Sequence, residues 1–303
     1  MYLSTLRAKA GEYSALAKMN SQSVGKFLPN FLISEDYINE IEKIKSIYPS
    51  KFLIDTRNLE TPESIVSLNE YIINCEPQFD INLVYSLDYI MASYTVRSSE
   101  YIRISIEDIN PQNLSWISQN KSIIPDNIII DFEYISGAID EPTLTKVTNL
   151  IKILNSHNIT ILSGSIPAPI PVDTNTNFTQ IRYEKQLYMQ LKMSSEVFLN
   201  YGDYTIISPK ALASAGGGIP TVQFKYTTSS EYLLIRNGQL RVPYNFVDVA
   251  NQITHLPDFD SRHCTGEQFI ADIVSENKNR GNATTWITHG IIHHIQLCID
   301  ENI

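Results

Sequence analysis

Two carboxylates, Asp131 and Glu133, flank Phe132, and a third, Asp55, stands two positions before Arg57. Residues i and i+2 of a strand point to the same side of a sheet, so Asp131 and Glu133 would share a face. There, hard oxygen ligands could hold a divalent metal and activate a water. Buried together without partners, they would repel and push a pKa upward, which calls for a metal, an Arg or water between them. Lys9, Glu12, Arg57, Ser163, Ser165 and Asp203 add mixed charge and hydroxyls suited to binding a ligand. Catalysis by Asp55, Asp131 and Glu133 competes with a plainer reading. An Asp at a strand end commonly caps the next turn, and Asp55 with Arg57 can simply form an ion pair.

Other constellations are weaker. Ser163-Gly164-Ser165 is only faintly like a phosphate loop, because neither GxGxxG nor GxxxxGKS occurs. Small residues there permit a tight exit from a strand, with Pro167, Pro169 and Pro171 keeping the next loop extended. Gly216, Gly217 and Gly218 precede a strand, so no helix N-terminus is available to hold an anion. His289, His293 and His294 invite a metal, yet Gly290 follows His289 where an HExxH zinc site needs its glutamate. The expectation is that one of these histidines packs inward while its neighbour faces solvent. His263 beside Cys264 is too isolated to complete a site on spacing alone, and no GxSxG elbow supports a nucleophilic serine. Cys75, Cys264 and Cys298 contain no CxxC pair and read as buried or inert thiols. Seventeen tyrosines suit both core packing and a protein interface.

These residues need elements to position them. Between residues 1 and 210, short apolar runs recur, each followed by a longer amphipathic segment, the strand-then-helix rhythm of an α/β domain. The runs are residues 2–8, 27–33, 52–55, 81–87, 101–106, 127–132, 159–162 and 204–207. Thr61-Pro62-Glu63 and Glu141-Pro142-Thr143 put proline in a first helical turn, where its missing N–H costs nothing. After Ser34-Glu35-Asp36, the spacing of Tyr37, Ile38, Ile41, Ile44, Ile47 and Tyr48 marks one buried helical face. Eight alternating strands predict a (β/α)8, TIM-barrel-like domain over residues 1–210. Residues 211–303 then form a C-terminal extension packed on the barrel. It comprises a turn at 213–220, a hairpin of 221–226 and 231–236, and helices at 244–253, 266–278 and 283–299.

With 303 residues, 43% of them hydrophobic, the chain can bury a sizeable core. It has neither a membrane-length apolar run nor a basic-then-apolar leader, and the expected location is the cytoplasm. A formal charge of −10 argues against broad nonspecific binding to nucleic acid, which depends on Lys and Arg neutralising phosphates.

In such a barrel, the loops after the strands converge on one mouth. That rule brings Lys9, Glu12, Asp55, Arg57, Asp131, Glu133, Ser163 and Ser165 to a common opening. Gly202-Asp203-Tyr204 is expected to build a turn whose Asp accepts backbone N–H bonds and to link barrel to extension.

Several segments resemble the beta protein family of phages and bacteria. They are Leu6-Arg7-Ala8-Lys9-Ala10-Gly11-Glu12 leading into Ala15-Leu16, Ile54-Asp55-Thr56-Arg57, and Ile130-Asp131-Phe132-Glu133. Ser163-Gly164-Ser165-Ile166-Pro167, Tyr201-Gly202-Asp203-Tyr204, and Gly281-Asn282 with Trp286, Gly290 and His293-His294 complete the set. Arg236-Asn237-Gly238 and the loop at 213–218 depart from the family pattern. The resemblance implies a barrel-like domain, occurrence in phage genomes and bacterial accessory regions, and no fixed reaction. Two functions remain. One is a component of phage–host conflict that recognises a protein partner or a nucleotide-bearing ligand. The other is a metal-dependent phosphodiesterase or nuclease using Asp55, Asp131 and Glu133 with a divalent metal.

Overall fold

The computed structural model describes residues 1–59, 61–74, 79–92, 96–170, 176–210, 222–237 and 245–303. Cys75, Pro171, Gly238 and the turn expected at 213–220, with its three glycines, lie outside the described residues.

Strands and helices alternate as the apolar rhythm requires. In chain order they are β1 (Tyr2–Arg7), α1 (Ala10–Lys18), β2 (Phe27–Leu32), α2 (Tyr37–Ile47), β3 (Phe52–Asp55), α3 (Pro62–Asn74) and β4 (Ile81–Ser86). A short α4 (Leu87–Met91), β5 (Tyr101–Ser105), α5 (Pro111–Gln119), β6 (Asn127–Tyr134), α6 (Glu141–Ile153) and β7 (Asn158–Gly164) follow. Caps fix the helix starts: the Asp140 carboxylate accepts the Thr143 N–H at 2.8 Å before α6.

The first seven strands match the expected runs, but the eighth does not. The chain departs to form β8 (Thr176–Ile181) and α7 (Tyr183–Ser194), and the barrel closes through β9 (Leu199–Asp203), which pairs in parallel with both β1 and β7. Residues 204–207, expected to be the closing strand, instead turn. The Asp203 carboxylate accepts the Thr205 N–H at 2.9 Å, and Thr205 takes a left-handed φ of 53°. The closed barrel runs β1-β2-β3-β4-β5-β6-β7-β9, a (β/α)8 TIM-barrel-like fold.

The strands are apolar on both faces because both are covered. Leu3, Leu28, Leu53, Val84, Ile129, Leu162 and Tyr204 form a cluster with no helical member, so they fill the barrel interior. The intervening residues, such as Leu6, Phe31, Ile54, Leu83, Ile104 and Ile130, join Ile41, Leu68, Leu150 and other helical side chains in the outer layer. Each fully buried aliphatic side chain there contributes about 1.5–3 kcal/mol of transfer free energy.

Beyond the barrel, β10 (Val222–Thr227) and β11 (Glu231–Asn237) form the expected antiparallel hairpin. β11 also pairs antiparallel with β8, so the second sheet draws its third strand from upstream of residue 210. Helices α8 (Phe246–Thr254), α9 (Thr265–Glu276) and α10 (Ala283–Asp300) complete the extension. Its core gathers on Trp286, with Phe224 edge-on at 4.7 Å and Phe246 stacked at 5.2 Å. α10 packs against α1, α9, β10 and β1, which encloses it on opposite sides. That enclosure corrects the expectation for the histidines: His293 and His294 are 3% and 0% exposed, so neither faces solvent.

The seam between barrel and extension combines apolar contacts of Ile291, Ile292 and Ile295 with a buried polar network. His294 Nε2 lies 2.9 Å from Asp203 Oδ2, and Tyr2 donates to Asp203 Oδ1 at 2.7 Å. Fully buried Arg182 donates to Glu184 at 3.3 Å, to Glu301 at 3.1 Å and to the Thr228 carbonyl at 3.1 Å. No helix among the described residues is long and apolar enough to cross a membrane.

Candidate functional site at the barrel mouth

Asp55 ends β3, and its carboxylate caps the single 3-10 turn of Thr56–Asn58 by accepting the Arg57 N–H at 3.0 Å. The turn folds Arg57 back over its own cap. Arg57 donates to Asp55 Oδ2 from two guanidinium nitrogens, at 2.7 and 3.0 Å. Its Nη1 donates to the Tyr204 hydroxyl at 2.7 Å and lies 3.0 Å from Asp131 Oδ2. Tyr204 donates in turn to the same Asp131 oxygen at 2.6 Å. Arg103 comes within 3.9 Å of Asp55 Oδ1, and Asn30 donates to Oδ2 at 3.4 Å.

The fields follow from this packing. Burial alone would raise the Asp55 pKa, but Arg57 and Arg103 outweigh it and hold the carboxyl below its ordinary 3.8. Burial and the Asp131 charge push the Tyr204 phenol well above its usual range, so it stays a neutral donor.

Asp131 and Glu133 do not act as a pair on one face. The register of β6 against β7 breaks between Asp131 and Tyr134, and Glu133 adopts a φ of 52°. Its N–H is turned onto Asp131 Oδ1 at 2.8 Å while its side chain stays exposed. Asp131 is buried and Glu133 lies at the rim, which removes the repulsion that side-by-side carboxylates would suffer.

Above the Arg57 cluster lies a cavity of about 380 Å³, lined by Arg7, Lys9, Ser34, Arg57, Asn58, Glu133 and Tyr204 among others. Glu12 is buried in α1 and accepts from Arg7 at 3.1 Å. Lys9 is exposed, and its ammonium has no partner among the described residues. Of the residues expected at the mouth, Lys9, Arg57 and Glu133 line this cavity, Asp55 and Asp131 lie buried against Arg57, and Glu12 is buried against Arg7.

Ser163 and Ser165 do not line the mouth cavity. Ser163 is buried with an unpartnered hydroxyl, on the same side of its strand as Ile159 and Ile161 in the outer layer. Ser165 donates to the Ile181 carbonyl at 3.0 Å and to Glu184. Asp203 is buried in the seam, held by Tyr2, His294 and the Thr205 N–H, and its expected turn is formed. Strand alternation sends Ser163 and Asp203 outward, away from the mouth, where Asp203 is held by protein groups.

Sequence reasoning missed Tyr204, Arg7, Asn30 and Arg103. Arg7 and Arg103 lie on strands at the inward phase of the alternation, a signal present in the sequence. Tyr204 gave no such signal, since it read as part of a strand.

Asp55 and Asp131 have each oxygen engaged by a protein donor. A metal bound there would have to displace Arg57 or Tyr204, so the residues present do not form a ready oxygen cage.

The fold and this site define the class: a closed (β/α)8 barrel with an arginine-clamped polar cavity at its mouth and a second sheet docked on its flank. A family model described as Beta protein matches residues 2–300, and the chain belongs to that family. No curated protein and no solved structure matches it.

Proposed function

We propose that the protein is a recognition module whose barrel mouth binds a small nucleotide-bearing ligand. The observation that carries this reading is the saturation of Asp55 and Asp131 by Arg57, Tyr204 and backbone N–H groups. The acids serve to hold a guanidinium rigidly below an open cavity. A fixed guanidinium beside Arg7 and an unpaired Lys9 suits a phosphate, because planar paired donors and a mobile ammonium grip oxyanions in complementary ways. The polar rim of Ser34, Asn58 and Glu133 offers donors and an acceptor to a base or sugar. The alternative, a carboxylate-metal phosphodiesterase, is less well supported, since its three acids are not convergent. The occurrence in phages and bacteria that the sequence resemblance implies is the ground for placing this recognition in phage–host conflict.

Titration calorimetry with a panel of nucleoside mono-, di- and triphosphates tests the reading. At least one should bind, and Lys9→Ala should weaken it by about tenfold, or about 1.4 kcal/mol, with the fold unchanged. Absence of binding across the panel, together with Mn²⁺-dependent phosphodiester cleavage abolished by Asp131→Asn, would replace it with the hydrolase reading.

A further inference from the structure

Four metal-ligating side chains converge in the extension, away from the mouth. His263 and Cys264 immediately precede α9, Glu267 sits in its first turn, and His293 reaches them from the facing α10. Their ligand atoms all lie within 4.8 Å of one another. A tetrahedral zinc with bonds of about 2.0–2.3 Å needs donors a few ångströms apart, and a Cys, His, His, Glu set is within its ordinary repertoire.

The imidazole hydrogen bonds single out which nitrogens face the cluster. His293 Nε2 lies 2.7 Å from the Thr227 carbonyl. A carbonyl only accepts, so Nε2 carries the hydrogen and, in a neutral ring, Nδ1 holds a lone pair. Nδ1 is buried, in a residue 3% exposed, and has no hydrogen-bond partner. It points at the cluster, 3.8 Å from Glu267 Oε2, beyond hydrogen-bond reach. A buried nitrogen left without a partner is costly unless something receives its lone pair. His263 is also pinned at its far nitrogen: Nε2 lies 2.8 Å from Asp300 Oδ2, which turns Nδ1 onto Glu267 Oε2 at 2.7 Å, a hydrogen bond that a bound ion would replace. Pinning the far imidazole nitrogen to an oxygen is the usual way a protein orients a histidine for a metal. The Tyr226 hydroxyl similarly donates to Glu267 Oε1 at 2.6 Å, leaving Oε2 for the cluster.

The backbone is shaped to permit this convergence. A Cβ on Gly266 would sit 2.5 Å from the His289 carbonyl and 3.3 Å from His293 Cβ, so only glycine lets α9 approach α10 this closely. An ion can also enter. His263 and Cys264 line a cavity of about 510 Å³ that opens to solvent between α10 and the segment at Asn20–Lys26.

We propose that His263, Cys264, Glu267 and His293 form a four-coordinate zinc site that fastens α9 to α10. The thiolate selects zinc over magnesium or calcium, which prefer oxygen ligands. With all four positions supplied by the protein, the ion's role is structural.

The test uses the full chain. Its zinc content is measured after purification, and the chelator-stripped protein is titrated with Co²⁺, whose spectrum reports tetrahedral geometry and thiolate ligation. We expect a single bound equivalent, a thiolate charge-transfer band, and loss of that band in Cys264→Ser. His293→Gln should lose the bound ion, and Asp300→Asn should weaken it by about 10–100-fold. Far-UV circular dichroism of each variant controls for folding. Should His293→Gln fail to fold, Cys264→Ser, at a half-buried position, decides. A stripped, folded chain that takes up neither Zn²⁺ nor Co²⁺ would show the cluster to be an ion-pair network and overturn the proposal. Unchanged affinity in Cys264→Ser would place the metal elsewhere and overturn it equally.

Discussion

Arg57 illustrates how one side chain decides what its neighbours can do. Its guanidinium neutralises Asp55 and approaches Asp131, turning potential metal ligands into a scaffold. The consequence for stability has a definite sign. Asp55 is held below its ordinary 3.8 in the folded protein, so its contribution is present above that pH and is lost as pH falls through the folded value. Asp55→Asn should therefore cost about 1–3 kcal/mol at neutral pH. It should also flatten the acid limb of stability below pH 3.8 relative to the parent. Urea denaturation across pH measures this, and parallel curves for the two proteins would contradict it. The pairing of Asp55 with Arg57 was readable from their spacing, because an Asp two residues before an Arg can cap and bind it within one turn. The separation of Asp131 from Glu133 was not, since a bulge is set by pairing with β7 and leaves no mark in a three-residue alternation.

At the scale of elements, the apolar runs announced the barrel because parallel strands are buried on both faces and admit few polar residues. β9 escaped notice for the converse reason. Its sequence, Leu199-Asn200-Tyr201-Gly202-Asp203, spends three of five positions on residues that disfavour strands, and the more apolar residues 204–207 drew attention past the true end. β8 hid in a proline-flanked stretch whose alternation is mostly Thr, Asn and Gln. The zinc ligands were visible as residue types, but α9 and α10 had to be docked before His293 met His263 and Cys264. That docking depends on Gly266. Because the group it would strike is a backbone carbonyl at 2.5 Å, which cannot rotate aside, Gly266→Ala should destabilise the fold by about 1–3 kcal/mol. Gly290→Ala, whose Cβ would first meet the flexible end of Ile206 at 2.8 Å, should cost less. Thermal melts of the two variants give the comparison, and the reverse order would refute the account of the helix contact.

Across the whole molecule, barrel and extension meet through apolar contacts of α10 and a buried polar network centred on Arg182. This side chain is fully buried and reaches Glu184, Glu301 and the Thr228 carbonyl, so it spans the barrel, the second sheet and the segment after α10. Arg182→Met should cost about 3–5 kcal/mol, because Glu184 would keep a buried charge without its partner. It should also loosen the coupling of the two cores. In urea, with Trp116 of α5 replaced by Phe so that Trp286 alone reports, the fluorescence of the extension should then change before the bulk of the far-UV signal. Coincident transitions in the variant would show that the apolar contacts alone keep the two cooperative.

The excursion through β8 has a consequence for how the chain can be made. After β7 the backbone leaves the barrel and lays down β8, whose partner β11 is made only after β9 has returned to close the wall. The outer face of β1 is likewise covered in part by α10, far downstream in the chain. On the ribosome, β1 can pair with β2 early, but its outer cover is completed only once α10 has been made. The wall of the barrel is thus built from neighbours in the chain, while its cover and its flanking sheet are completed by segments far apart in it.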